Sequence, residues 1–383
     1  MRPGQACDSL NEEREPRYTI ESVSTEEGLS ALESDWNRLS ETADHPNAFV
    51  TYGWFRAWVR RIALEYHSGR FLPNVLVLRE SGSVAGIAPL VRHIASRFFR
   101  VRKLEFASIH ADYNDLVLGK DPTGQTMAIA DFLARTSAEW DVVDLRDLRD
   151  TGEQIALIER ALEHVGLSYR FFPEQNSCPY LTIGGDASEV TKRLSGHVRR
   201  TLRNRSVRAA AQGLRTRIIE NPAREPDLLR KLIVLESKKH LRSVHPPFIG
   251  TYPDVFQSLF DNLGPHGWLY VALLELGDQP VAFQFGFRCG DKLWDYAKAY
   301  DRSFSRFAPG TLLLLALLDY GFGRGFREYD FLRGEEPYKM IWGTGCQRRL
   351  RVLIWNRRKI SRVRKFIYYD LRSAVNWLLR KRI

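Results

Sequence analysis

Residues 300–339 read YDRSFSRFAPGTLLLLALLDYGFGRGFREYDFLRGEEPYK, with Pro309, Gly310 and Thr311 standing directly before the apolar run Leu312–Leu318. Pro and Thr are good helix starters, and Gly lets a ligand come close to the backbone. A helix is therefore expected over 311–320. Its first amide N–H groups have no partner inside the helix and lie at the positive end of its dipole. With Arg306 just upstream, they make a seat for a phosphate or pyrophosphate. The helix is expected to stop within Gly321–Gly325, and 327–332 has the composition of a short buried strand. Strand, diphosphate-seating helix and second strand together read as a coenzyme-binding core. The competing reading is that Pro-Gly is ordinary punctuation before a helix.

Outward from this stretch, the preceding segment WLYVALLELGDQPVAFQFGFRCGDKLWDYAKAY (268–300) gives three strands joined by Gly277-Asp278 and Gly290-Asp291 turns. Ahead of it, 227–240 and 252–263 read as helices. The first half has the same order. Helices are expected over 27–40 and 52–62, then two strands about the turn Glu80–Ser83, a strand over 103–108, a helix over 125–138 and a strand over 140–145. The hairpins LVLRESGSVAGIAPL and VALLELGDQPVAFQF overlay through Val84-Ala85 and Val281-Ala282, which sets Asp144 opposite Asp330. The chain reads as a duplicated α/β unit, each half a mixed, mostly antiparallel sheet with one helical crossover. The boundaries expected are 1–17 disordered, 18–178 and 179–355 as the two halves, and 356–383 as a basic amphipathic helix.

Composition fits this picture. The chain of 383 residues is 44% apolar and 27% charged, an ordinary globular balance with room for two cores. The N-terminal segment has no apolar stretch of the secretory kind, and Asp319 interrupts the longest apolar run, so a cytoplasmic protein is expected. Cys7, Cys178, Cys289 and Cys346 are scattered with no zinc-site spacing, so no metal is expected. The net charge of +11 is concentrated in two places. Lys192–Arg217 holds nine Lys/Arg and no acid, and 356–383 holds ten against Asp370 alone, which leaves the rest of the chain acidic.

The hairpin GDQPVAFQFGF, then AYDRSFSRFAPGTLLL, then YDFLRGEEPYKMIWGT resemble the GNAT acyltransferase superfamily, and within it the duplicated CelD-like branch linked to cellulose and exopolysaccharide synthesis and related to the FemAB aminoacyl transferases. Weaker matches are Asp112–Asp115 and Leu235–Lys239. The resemblance implies paired GNAT folds, with the second half binding the acyl donor, acetyl-CoA or another acyl-CoA, through Arg306, Pro309, Gly310 and Thr311. The acceptor it implies is an amine on a sugar, sugar nucleotide or glycan precursor. In two places the sequence departs from the family pattern: Arg306 precedes Gly310 by four residues, and the element after Leu235 lacks its Trp.

Acyl transfer to nitrogen needs a base for the acceptor, a donor to the thioester oxyanion and an acid for the leaving thiolate. Glu236 and Asp330 are the catalytic carboxylate candidates, and Glu335 is placed beside them as a substrate contact; each also reads as a surface charge. By resemblance Tyr338 is the general acid and Lys339 a point charge for a phosphate or carboxylate.

Arg200 and Arg203, in the basic run, are expected to contact a phosphorylated acceptor. Two other readings of that run are a solvated helix and RNA contact, which an aminoacyl-tRNA donor would use. The 356–383 helix reads either as docked on its own domain or as a peripheral contact with anionic lipid.

Overall fold

The computed structural model describes residues 16–65, 71–95, 100–107, 110–240, 247–356, 358 and 361. The basic C-terminal helix and most of the N-terminal segment read from the sequence lie outside these residues. In the first half the strands are β1 (Thr19–Val23), β2 (Phe71–Pro73), β3 (Val75–Glu80), β4 (Ser83–Ala88), β5 (Leu90–Ala95), β6 (Val101–Phe106), β7 (Val117–Leu118), β8 (Val142–Arg149) and β9 (Ser168–Pro173). In the second half they are β10 (Cys178–Thr182), β11 (Leu214–Ile219), β12 (Leu269–Leu276), β13 (Gln279–Cys289), β14 (Lys292–Tyr300), β15 (Glu328–Asp330), β16 (Gly345–Gln347) and β17 (Arg349–Trp355).

Strand pairing makes the duplication explicit. Hairpin β3–β4 pairs Arg79 with Val84 and then Leu78 with Gly86, skipping one residue. Hairpin β12–β13 pairs Glu275 with Pro280 and then Leu274 with Ala282, skipping one residue at the same distance from the turn. Counted from the turns, Val84 is the counterpart of Pro280, so the sequence overlay is one residue out at this point. The bulge fixes the register that side-chain similarity could not. Further along, β6 and β8 are parallel, are joined through helix Pro122–Arg135, and end their pairing at Glu105–Asp144. Strands β14 and β15 are parallel, are joined through helix Pro309–Gly323, and end at Trp294–Asp330. Asp144 and Asp330 thus occupy the same place in the two halves.

The architecture is a duplicated α/β fold with mixed, mostly antiparallel sheets flanked by helices. The second sheet has the order β11-β12-β13-β14-β15-β10-β16. The first is divided into β1-β3-β4-β7 and β2-β5-β6-β8-β17-β9. The division falls at Pro89, between β4 and β5, where the other half has the single long strand β13. Proline lacks the N–H a continuous ladder needs there.

Two strands are exchanged between the halves. Next to β8 stands β17, from the end of the chain; next to β15 stands β10, which directly follows the first half in sequence. The expected join at 178/179 therefore falls inside the start of β10, and sheet pairing carries 349–355 back into the first half.

Between the halves lies an aromatic core. Phe49, from the first half, stacks on Trp294 at 5.2 Å and meets Phe287 edge-on at 5.3 Å, while Trp54 packs against Tyr296 at 5.6 Å. Burial of so many large rings makes the two halves one packed body. Among the described residues no helix is long and apolar enough to cross a membrane.

Candidate functional site

Helix Pro309–Gly323 and the mouth between β14 and β15 form the first part of the site. The two strands pair only from Lys292–Glu328 to Trp294–Asp330, and β14 then continues alone to Tyr300. A bulge accounts for the divergence: β13 pairs Phe285 with Ala297 and Gly286 with Asp295, leaving Tyr296 out of register. Gly286 has to be glycine here, because a Cβ would sit 1.9 Å from the Trp294 carbonyl oxygen. Beyond Trp294 this edge of β14 therefore has no strand paired to it among the described residues.

The helix that follows β14 begins on Ala308, which is held left-handed at φ 52°, and no side-chain hydrogen bond caps the first turn. A non-glycine residue in this region is costly and marks a constrained turn. Gly310 is exposed, and a Cβ there would meet nothing within 4 Å. Arg306 is exposed, with its guanidinium 4.8 Å from the Phe307 ring. The four expected donor residues thus stand at one helix N-terminus without a side-chain cap, where Thr311 N and Leu312 N donate to the Ala308 carbonyl at 2.9 and 3.1 Å and the exposed Gly310 stands at the positive end of the dipole, an arrangement that favours an anion.

The equivalent helix start in the first half is already filled. Asp121 caps helix Pro122–Arg135 by accepting from Gly124 N at 2.9 Å, and its other oxygen takes Arg17 at 2.8 Å and the Tyr18 hydroxyl at 3.0 Å. A carboxylate of the chain itself stands where an anionic ligand would sit.

The second part of the site lies on the opposite face of the β14–β15 pair, at the seam between the halves. Asp330 is buried there; Oδ2 accepts from the Tyr113 hydroxyl at 2.7 Å and Oδ1 from Leu332 N at 2.7 Å. The Arg149 guanidinium lies 4.5 Å from the Tyr113 ring and 5.5 Å from that of Trp294. Burial pushes the Asp330 carboxyl up to about 7, against the opposing pull of the Tyr113 hydroxyl, the Leu332 N–H and Arg149. Its counterpart Asp144 is equally buried but accepts from Arg351 at 2.6 and 2.8 Å and pairs with Lys103 at 2.6 Å. Burial there is outweighed by these cations, and the carboxyl falls to about 2. Equivalent carboxylates pushed apart in this way divide the halves into one whose acid titrates near neutral pH and one whose acid is locked as an ion.

The other expected residues are placed as follows. Glu236, on helix Leu228–His240, is buried and accepts from Phe248 N at 2.9 Å and Gly250 N at 3.1 Å, so both its oxygens hold the turn 248–251. Lys339 is buried with Nζ donating to the carbonyls of Arg333 at 2.6 Å and Leu332 at 3.3 Å, and pairing with Glu336 at 3.0 Å. Glu335 is exposed and accepts from Ser177 N at 3.0 Å and its hydroxyl at 2.9 Å, which holds the carboxylate below its ordinary range. These three fasten the 331–339 segment and the turn after helix 228–240. Tyr338 is different: its ring is partly exposed, Lys298 Nζ lies 4.4 Å from the ring centre, and burial followed by the charges of Asp295 and Glu336 holds the phenol proton more tightly than usual.

Arg200 and Arg203 are exposed on helix Gly196–Ala211, which packs beside the turn Arg302–Phe307 that leads into helix 309–323.

Two further residues escaped the sequence reading. Arg149 carries no local signal, since it is one of many arginines at strand ends. Asp295 sits at the bulge, just past the end of the β14–β15 pairing; its Oδ2 takes Lys298, and its Oδ1 is buried without a partner among the described residues. Among those residues no group of three or more His, Cys, Asp or Glu side chains could hold a metal ion.

Residues 196–340 match the family model described as Acetyltransferase (GNAT) domain. The chain is an acyltransferase. The match spans the bare helix start, β14, β15 and Tyr338, and leaves the first half outside. Among solved structures, one described as FemX is similar over 85% of this chain and 96% of its own, at 12% identity and a TM-score of 0.59. A conserved protein of unknown function from Bacteroides thetaiotaomicron VPI-5482 is similar over 88% of this chain and 100% of its own, at 12% identity and a TM-score of 0.56. Both share the fold. No curated protein matches the chain.

Proposed function

We propose that the chain transfers an acyl group, acetyl in the simplest case, from coenzyme A to an amine of a sugar, sugar nucleotide or glycan precursor of the cell envelope or an exopolysaccharide. The observation that carries the donor half of this reading is the helix start at Ala308–Thr311, without a side-chain cap and following the strand β14 whose pairing with β15 ends at Trp294–Asp330, inside the residues that match the GNAT domain. The diphosphate would lie on the Gly310 N–H and the positive end of the helix dipole with Arg306 beside it, and the pantetheine arm would run along the unpaired edge of β14. A peptide N–H of that edge would meet the thioester oxyanion. Tyr338 would stand as the general acid for the departing thiolate; burial raises its proton affinity, and Lys298 beside its ring would bring that down by meeting the negative charge that develops as the proton leaves. Asp330 is the carboxyl whose proton affinity suits exchange with an ammonium group near neutral pH, reached through the Tyr113 hydroxyl. Glu236 and Lys339 would act as positioning residues.

The test is calorimetric titration of acetyl-CoA into the full-length protein beside an Arg306→Ala/Gly310→Glu variant. The glutamate fits the open space at residue 310 and favours the helix dipole, so the variant should fold while repelling phosphate. Binding by the wild type and loss in the variant is the expected result. A folded wild type that ignores acetyl-CoA refutes the coenzyme A reading.

One observation favours a second reading. Helix 196–211, which carries the exposed Arg200 and Arg203, packs beside the turn that precedes helix 309–323, and a longer polyanion such as an aminoacyl-tRNA would lie along it. Activity in cell extract that is abolished by ribonuclease, with no acetyl-CoA binding, would establish that alternative.

A further inference from the structure

A cavity of about 810 Å³ opens in the first half, away from the helix start at Ala308–Thr311, between helix Glu33–Thr42, the β3–β4 hairpin, the start of helix Pro122–Arg135 and the segment after β8. Leu39, Leu116, Leu118 and Leu157 supply apolar wall, and Thr42, Asp44, Thr151 and Glu153 supply oxygen atoms. The volume is that of a pocket for a small molecule, not a packing defect.

The cations that line it differ in their freedom. Arg17 is held by Glu80 at 2.7 Å and Asp121 at 2.8 Å. Arg38 is held by Asp35 at 2.8 Å and the Val84 carbonyl at 3.0 Å. Arg149 has no carboxylate within ion-pair distance among the described residues; its guanidinium lies on the faces of Tyr113 and Trp294, and its charge acts from further off on Asp330 and on Asp115, a buried carboxyl of the cavity wall. Stacking of that kind uses the face of a guanidinium and leaves its N–H edge available, in the planar geometry that matches a carboxylate or phosphate. The nearest alternative anion seat, the start of helix 122–135, is closed by Asp121. Lys120, which also lines the cavity, is exposed; among the lining arginines Arg149 alone combines a fixed position with unused donors.

The same side chain separates the cavity from the chemistry. It covers the Tyr113 ring, which is fully buried, and Tyr113 in turn covers Asp330. Neither Tyr113 nor Asp330 lines the cavity, so a molecule in it meets neither the hydroxyl nor the carboxyl and is not the reacting amine.

We propose that this cavity is a second ligand site, for an anionic saccharide whose carboxylate or phosphate pairs with Arg149 and whose hydroxyl groups are taken by the oxygen atoms of the wall. The leucines suit the apolar face of a sugar ring. The proposal does not depend on the identity of the acyl donor.

The test uses the full-length protein and two probes without an amine, glucuronate and glucose 6-phosphate, with glucose as the neutral control, all followed by calorimetry. Binding of either anionic sugar and not of glucose is expected; which of the two binds identifies the anion as carboxylate or phosphate. Arg149→Ala should weaken it at least tenfold. Ala43→Trp, which narrows the cavity and leaves Arg149 in place, should weaken it as well without a change in melting temperature, and decides the matter if Arg149→Ala fails to fold. Acetyl-CoA titrated separately should bind both variants as it binds the wild type. No binding of either anionic sugar at millimolar concentration, or binding that both variants retain, overturns the proposal.

Discussion

Replacing Asp330 by Asn should make the protein more stable, and increasingly so as pH rises. Asp330 moves from an ordinary 3.8 to about 7 because burial penalises its charge. The folded state therefore keeps a proton that the unfolded chain gives up above pH 4, so the contribution of this group to stability falls as pH climbs from 4 to 7 and then levels off. The full difference corresponds to about 4 kcal/mol at pH 8 and to about 2 kcal/mol at pH 5. Asn has the shape of the protonated acid, can still face the Tyr113 hydroxyl and accept from Leu332 N, and has no charge to bury. Asp144→Asn, at the equivalent place, has the opposite sign. That carboxyl is lowered from 3.8 to about 2, so its stabilisation is present above pH 4 and is lost as pH falls toward 2; it is worth about 2 kcal/mol, and the Arg351 and Lys103 charges left beside an amide add to the cost. Urea unfolding of both variants and the wild type at pH 5 and pH 8 measures these differences. An Asp330→Asn protein less stable than wild type at pH 8, or one whose advantage is the same at both pH values, would refute the reasoning.

Gly286→Ala should cost about 3 kcal/mol or more, since its Cβ would collide with the Trp294 carbonyl at the bulge; the melting temperature reads this directly. Lys339→Ala should lower stability by about 1–3 kcal/mol by leaving the Leu332 and Arg333 carbonyls without their donor, and thermal unfolding should record the loss even in the absence of substrate. Glu236→Ala should release two amides, with hydrogen exchange at Phe248 and Gly250 rising while the amides of β12 and β13 keep their protection.

Helix Pro309–Gly323 was legible because its signal is local. Pro309, Gly310 and an apolar run state where a helix starts, and the structure needs only Ala308 in a left-handed turn to complete it. The duplication was legible for the same reason, through two hairpins with similar turns, although only pairing could reveal that each skips one residue. The neutral-range acid was named as a candidate, but nothing in YDFLRG distinguishes it from the locked ion in VVDLRD. The difference comes from burial that Tyr113 and Arg149 only partly offset on one side, and from the direct ion pairs of Arg351 and Lys103 on the other, residues far away in sequence. Lys339 and Glu236 illustrate the converse: both stand in motifs that resemble catalytic ones, and both spend their hydrogen bonds on nearby backbone. Arg149 and Asp295 acquire their significance only from a cavity and a bulge, which no spacing rule encodes.

The exchange of β10 and β17 bears on how this protein can be cut. A fragment ending at residue 340, the limit of the GNAT match, leaves β8 and β9 without the strand between them, and one beginning at 196 strips β15 of β10. Either cut exposes the edge of a strand that the intact chain covers, an invitation to aggregate. Neither half is a portable cassette, so deletion mapping, the usual way of assigning an activity to a region, would report solubility instead. Point substitutions in the whole chain are the way to divide the labour between the two halves.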